Sequence, residues 1–175
     1  MRKPAIVFLG LCAVAVCSCD SSRPEDRVDL PPGVFEATVI EANLAERTYQ
    51  GTAFFETVGA GVFRSFRVIL AVEDETIRIE WGGGERPESD AYTVRSLTGP
   101  DGSVSVTYSV LVVPDSLLTP YNVQYSPAGD NAGFVTIHTS ASDQFIGVFD
   151  AVLRDMTDSS AESIIVRGRF HALPE

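Results

Sequence analysis

His138 and His171 are the two histidines of the chain. His138, Asp143 and a nearby serine have the residue types of a nucleophilic triad. The G-x-S-x-G elbow that would lift such a serine out of a strand-to-helix turn is missing. A zinc site on both histidines would still need a third ligand. Carboxylates recur as Glu73/Glu75, Glu88/Asp90, Asp155/Asp158 and Asp20/Glu25/Asp26. A glycosidase needs two carboxyls about 5–9.5 Å apart across a cleft, whereas carboxylates on the loops of an acidic chain are ordinarily solvated. Asp155, Asp158 and Glu162 are the best placed for calcium, which takes several oxygens from a short stretch, but they lack the EF-hand spacing. The Trp81-Gly82-Gly83-Gly84-Glu85-Arg86-Pro87 stretch has no Lys-Ser/Thr ending to cradle phosphate. Trp81 with Tyr92, Tyr121 and Tyr125 offers flat faces on which the apolar side of a sugar could stack. These four are the candidate ligand-binding residues. The residue types predict no catalytic set, no metal site and no cofactor, hence a protein that is not an enzyme.

The elements that would position these residues read as strands. Beyond Gly33 the dominant pattern is alternation with period two, rich in Val, Ile, Thr, Phe and Tyr, which is the signature of half-buried strands. No window offers a long amphipathic helix. Ten strands are predicted: Val34–Asn43, Thr48–Glu56, Phe63–Val72, Thr76–Trp81, Tyr92–Leu97, Val104–Val113, Tyr121–Tyr125, Phe134–Ser140, Phe145–Arg154 and Ser163–Leu173. Turn residues separate them, notably Glu73-Asp74-Glu75 and Gly99-Pro100-Asp101-Gly102. Strands at intervals near ten residues predict an all-β, single antiparallel β-sandwich, with a lipocalin-like β-barrel as the alternative.

One short pattern repeats. Gly33-Val34-Phe35-Glu36-Ala37, Gly147-Val148-Phe149-Asp150-Ala151 and Gly168-Arg169-Phe170-His171-Ala172 share G-x-F-x-A. Residues two apart share a strand face. Gly, Phe and Ala are therefore expected inside, and Glu36, Asp150, Arg169 and His171 outside. The last two copies should pair as a hairpin, with the first strand beside them.

The 175 residues carry 13 basic and 24 acidic side chains, a net charge of −11. Such a chain lacks the basic face that phosphate backbones need, so nucleic acid is excluded as an expected partner.

Residues 1–19 read as an address. Arg2 and Lys3 precede an apolar run from Ala5 to Val16, too short to span a bilayer as a helix, which takes about 20 residues. It has the length of a secretory h-region. The run ends at Val16-Cys17-Ser18-Cys19 and turns polar at Asp20-Ser21-Ser22. This resembles a bacterial lipoprotein signal: an aliphatic residue at −3 (Val16), a small residue at −1 (Ser18) and cysteine at +1 (Cys19). The resemblance implies removal of residues 1–18 and a diacylglycerol thioether on Cys19. Lipidation of Cys17 is the alternative, and it would place Val16 at −1. Loss of residues 1–18 removes Arg2 and Lys3 and no acid, so the net charge moves from −11 to −13. One cysteine then remains, and no disulfide can form within the chain. The expected organisation is a signal peptide over 1–18, a lipidated cysteine and polar linker over 19–32, and a β-domain over 33–175. The body resembles β-rich envelope lipoproteins of unknown function. That implies a location in the bacterial cell envelope and a membrane held through the lipid; a glycan, on the aromatic residues, or an envelope protein is the candidate partner, with a carbohydrate-binding module and an envelope hydrolase as the alternative functions.

Overall fold

The computed structural model describes residues 28–96, 104–113, 119–158 and 162–175. The signal segment, Cys17, Cys19, the linker up to residue 27 and the Gly99–Gly102 turn lie outside them. The strands are β1 (Val34–Ile40), β2 (Glu46–Val58), β3 (Ser65–Val72), β4 (Glu75–Gly82), β5 (Ala91–Thr93), β6 (Val104–Val112), β7 (Tyr121–Pro127), β8 (Gly133–Ser140), β9 (Phe145–Asp155) and β10 (Ile164–Pro174). All ten expected strands are present. The largest departures are β2, which starts earlier and ends later, and β5, which is only three residues long. A 3-10 turn at Gly61–Phe63 interrupts the β pattern between β2 and β3.

The fold is all-β, but the expected sandwich is a closed barrel. Strands β1, β2, β3, β4, β6, β7, β9 and β10 form a ring of antiparallel neighbours, and β10 returns to β1. The contact that closes the ring is β1 with β10, Phe35 opposite Phe170 and Val39 opposite Val166. A sandwich would leave edge strands. Here β1 is hydrogen-bonded on both sides, because the β1–β4 meander starts beside the strand that ends the domain. Beyond the start of β1, β10 reaches β2 directly, pairing Leu173 and Pro174 with Phe54 and Phe55.

The gap between β9 and β6 is bridged twice. Toward one end of the barrel β7 covers it, pairing with Leu153–Asp155 of β9. Toward the other end β8 pairs with Phe145–Ala151 of β9, β5 pairs with β8, and Val94 bridges to Val104 of β6 in parallel. The Val94 N–H donates to the Gly133 carbonyl at 2.9 Å, and the Arg95 N–H to the Val104 carbonyl at 2.9 Å. Backbone groups that an open edge would leave unpaired are thus satisfied at both ends.

Inside, the repeated pattern sets the packing. Phe170 lies opposite Gly147 and Phe149 opposite Gly168 across the β9–β10 hairpin. Phe35 lies opposite Gly51. Two layers follow around the wall: Gly147, Phe170, Phe35, Gly51, and above it Phe149, Gly168, Ala37, Tyr49. Rings meet diagonally, Phe35 edge-on to Tyr49 at 6.0 Å and Phe149 to Phe170 at 6.5 Å. Phe35, Phe145, Phe149, Phe170, Phe66 and Tyr108 are all essentially buried. An eight-stranded barrel has just enough room for side chains to fill it, and each buried ring contributes about 1.5–3 kcal/mol.

The glycines are spatial requirements. A Cβ at Gly147 would sit 2.9 Å from Phe170 Cζ, and one at Gly168 would sit 2.9 Å from Phe149 Cζ. Gly147→Ala and Gly168→Ala are each expected to lower stability by about 1–3 kcal/mol through overpacking. Gly82→Ala, where a Cβ meets nothing within 4 Å, should melt close to the parent in the same thermal denaturation series.

Candidate functional site

The candidate aromatics do not form one surface. Trp81, on the inner face of β4, is 2% exposed. Its ring packs edge-on against Phe145 at 5.7 Å, Tyr92 at 5.9 Å and Phe66 at 6.1 Å. Tyr92 is half-buried on β5, and its hydroxyl donates to the Glu88 carbonyl at 3.0 Å. Tyr125 is half-buried and stacked on Tyr108 at 5.7 Å. Tyr121, at the start of β7, is exposed. Trp81 and Tyr92 touch at one end of the barrel, while Tyr121 and Tyr125 belong to β7, which fills the β9–β6 gap toward the opposite end. The Trp81 face that would receive a sugar is occupied by core rings.

Each barrel end is instead closed by an arginine. Near Trp81, the Gly82–Asp90 connection folds over the opening, and the Arg86 guanidinium lies 4.8 Å above the Phe55 ring and 5.7 Å from that of Phe66. Both distances suit cation–π contact. An open cleft of about 560 Å³ runs beside it, lined by Phe55, Glu56, Phe66, Arg86, Ser142 and Glu175 among others. Burial, then a hydrogen bond and repulsion from Glu175, raises the Glu56 carboxyl above its ordinary range.

At the opposite end the inner faces of the strands turn polar. Positions 35, 37 and 39 of β1 lead to Glu41, 53, 51 and 49 of β2 to Arg47, and 81, 79 and 77 of β4 to Glu75. Arg47 Nη1 donates to Glu75 Oε1 at 2.8 Å, and Nη2 donates to the Tyr108 hydroxyl at 3.1 Å. That hydroxyl donates to Glu75 Oε2 at 2.7 Å, and Arg47 Nε stands 3.6 Å from Glu41. Burial, reinforced by the bond to Glu75, pushes the Tyr108 hydroxyl far above the ordinary tyrosine range. Burial does the same to Tyr49, with the neighbouring Tyr108 and Glu75 adding to it. An open cleft of about 390 Å³ flanks this network, lined by Arg47, Tyr49, Glu75 and Leu111 among others. The sequence reading singles out neither Glu41 nor Arg47, and Glu75 only as half of the Glu73/Glu75 pair. The available signal was parity: each continues an inner-face series beyond its last apolar member.

The other candidate groups take structural places. His171 is half-buried on β10, not solvated. Its Nδ1 lies 3.0 Å from the Leu30 carbonyl, and its Nε2 lies 3.2 Å from Gln144 Oε1. His138 is exposed at the irregularity of β8 between Ile137 and Thr139, and Asp143 is exposed on the β8–β9 turn. Among the described residues no hydrogen bond or ion pair joins them. The Asp155 carboxylate accepts from the Thr157 N–H and hydroxyl, each at 2.7 Å, which lowers its pKa and closes the turn after β9. Among the described residues no three His, Cys, Asp or Glu side chains converge as a metal would require. On the outer wall Glu36 pairs with Arg169 at 3.0 Å, and burial raises the Asp150 carboxyl against the opposing pull of Arg167.

Set against family models, curated proteins and solved structures, the chain has no match in any of the three comparisons.

The tyrosine shifts set the alkaline behaviour. A hydroxyl whose pKa is raised by folding keeps its proton in the native state while the unfolded chain loses it. Stability is therefore intact below about pH 10 and falls as pH climbs past it. Melting temperatures between pH 8 and 11 should drop steeply above 10. Tyr108→Phe should flatten that drop and cost about 1–3 kcal/mol at neutral pH, because Glu75 loses its buried donor.

Proposed function

We infer that the protein is a membrane-anchored cell-envelope lipoprotein whose barrel serves binding or structure without catalysis. The observation that carries the reading is the leader: the apolar run Ala5–Val16 stops at Val16-Cys17-Ser18-Cys19, and polarity begins at once at Asp20. The barrel is compatible with it. Among the described residues the interior is occupied by buried side chains, Phe35, Phe66, Phe145, Phe149 and Phe170 among them, where a lipocalin-type carrier would hold an apolar ligand, and the burial of Trp81 takes away the centre of a carbohydrate platform. Function then lies on the outer surface and the clefts at the barrel ends. Anchoring adds to it physically, since confinement to a surface raises the effective concentration toward any partner in the same layer.

Several acyl chains hold a protein more firmly than the marginal attachment of one. Intact mass of the membrane-extracted protein should show residues 1–18 removed and a diacylglycerol-plus-acyl adduct on Cys19. Cys19→Ala should release the protein from the membrane fraction; unchanged retention overturns the assignment.

A further inference from the structure

The cleft beside Arg86 carries charges of both signs that the protein does not itself neutralise. The Arg86 guanidinium stands over the Phe55 and Phe66 rings. Its Nη1 is buried without an acceptor, and among the described residues no carboxylate pairs with it. Trp81, buried on the other flank of Phe66, has no acceptor for its Nε1 either. A buried donor without a partner is unfavourable, and a charged one more so. Two such donors around one ring mark an end of the barrel short of acceptors. The guanidinium is also held in place. Gly83 and Gly84 take φ of +89° and +69°, where a side chain would be strained. On the other side of Arg86, the Pro87 carbonyl accepts from the Ser140 hydroxyl at 2.6 Å.

The other rim of the cleft is acidic. There β10 runs parallel to β2, with Leu173 beside Phe54 and Pro174 beside Phe55. The Glu175 N–H donates to the Phe55 carbonyl at 3.1 Å. This register brings the Glu175 side chain to Glu56, and the two carboxyls share a hydrogen bond. Arg67 lies opposite Glu56 on β3, but it is paired with Glu80, 3.3 Å from its Nε. Burial and the charge of Glu175 outweigh the pull of Arg67 and Arg78, so the Glu56 carboxyl is raised. The acid pair is short of positive charge, as the guanidinium is short of negative. Both line the same open cleft of about 560 Å³, a size that suits a small ligand. A simple anion would meet the carboxylates there, and a simple cation would meet the guanidinium. A molecule with one charge of each sign avoids both conflicts.

We propose that this cleft binds a small zwitterion of the amino-acid or dipeptide class, its carboxylate on Arg86 and its ammonium on Glu56 and Glu175. The carboxylate gives the guanidinium the charged acceptor it lacks, and the ammonium sits between two carboxyls that otherwise repel. The inference rests on the binding reading above, for this one cleft, and does not depend on the lipid anchor.

The test titrates the full chain in neutral detergent with L-alanine and with L-alanyl-L-alanine, by calorimetry and by nitrogen-15 NMR. At least one of the two should bind and shift the Arg86 Nε–H signal, which Arg86→Met identifies by its loss. Removing the ammonium by N-acetylation, or the carboxylate by amidation, should each weaken binding about tenfold or more, the scale of one charge-assisted contact. Glu56→Gln should shrink the penalty of acetylation and leave that of amidation, and Arg86→Met should do the reverse. If neither zwitterion binds, or if the acetylated and amidated forms bind as well as the parents, the site is overturned. Binding that leaves the Arg86 signal unmoved overturns it too. The ligand series is read on the unaltered chain, so a variant that fails to fold does not protect the proposal. None of these outcomes touches the anchor, which the intact mass decides.

Discussion

Room inside an eight-stranded barrel is the constraint on which the rest depends. Across any cross-strand pair of the inner wall in this region, two large rings do not fit in line except where their neighbours give way. The solution is reciprocal. Phe170 lies over Gly147 while Phe149 lies over Gly168, so each strand lends its glycine to the other strand's ring. Because the hairpin is antiparallel, one G-x-F pattern pairs with a second copy of itself read backwards, and large meets small at both steps. The first strand joins with Phe35 beside Phe170, and Gly51 on β2 makes the space that pair requires. Glycine normally weakens a strand. Here the covering ring restores the lost contacts and shields the bare backbone, and the close fit pins the register, since a slip of one residue would send the slipped strand's glycine and phenylalanine outward.

The strands were legible because their alternation is strong and their turns carry glycine, proline and aspartate. The pairing of the three G-x-F-x-A strands was legible too, since the pattern predicted both the β9–β10 hairpin and β1 beside it. Closure was legible only as the barrel alternative to a sandwich. That neighbour relation and the β1–β4 meander place β9, β10 and β1–β4 in one continuous sheet, but only the β4–β6, β6–β7 and β7–β9 pairings close it, and strand spacing alone suits sandwich and barrel equally. The polar end network escaped for a different reason. Glu75 and Tyr108 are 28 and 61 residues from Arg47, and only the register of three separate strands brings them together. Trp81 was misleading because glycines next to an aromatic suggest an open ledge. The glycines here let a connection fold back over the ring instead.

A filled barrel has chemically distinct ends, and that asymmetry bears on how it meets its surroundings. One end sets the Arg86 guanidinium over the rings of Phe55 and Phe66. The other end gathers Glu41, Glu75 and Arg47 around Tyr108.

The choice of arginine at both ends follows from what a lid over an aromatic core must do. Its inner surface has to touch rings or a buried hydroxyl, and its outer surface has to face water. A guanidinium is planar, weakly hydrated and always charged, so it can stand over the Phe55 ring as Arg86 does, or divide its donors between a carboxylate and a phenol as Arg47 does. An ammonium is compact and strongly hydrated, so it would draw water down to the rings at one end and could not bridge Glu75 and Tyr108 in one plane at the other. The chain has Lys3 as its sole lysine and arginine at every other basic position, and at these two positions that preference has a structural reason. The closing pairs also explain why Glu75 tolerates partial burial: Arg47 supplies its charge and Tyr108 its second donor, so neither carboxylate oxygen is left without a partner.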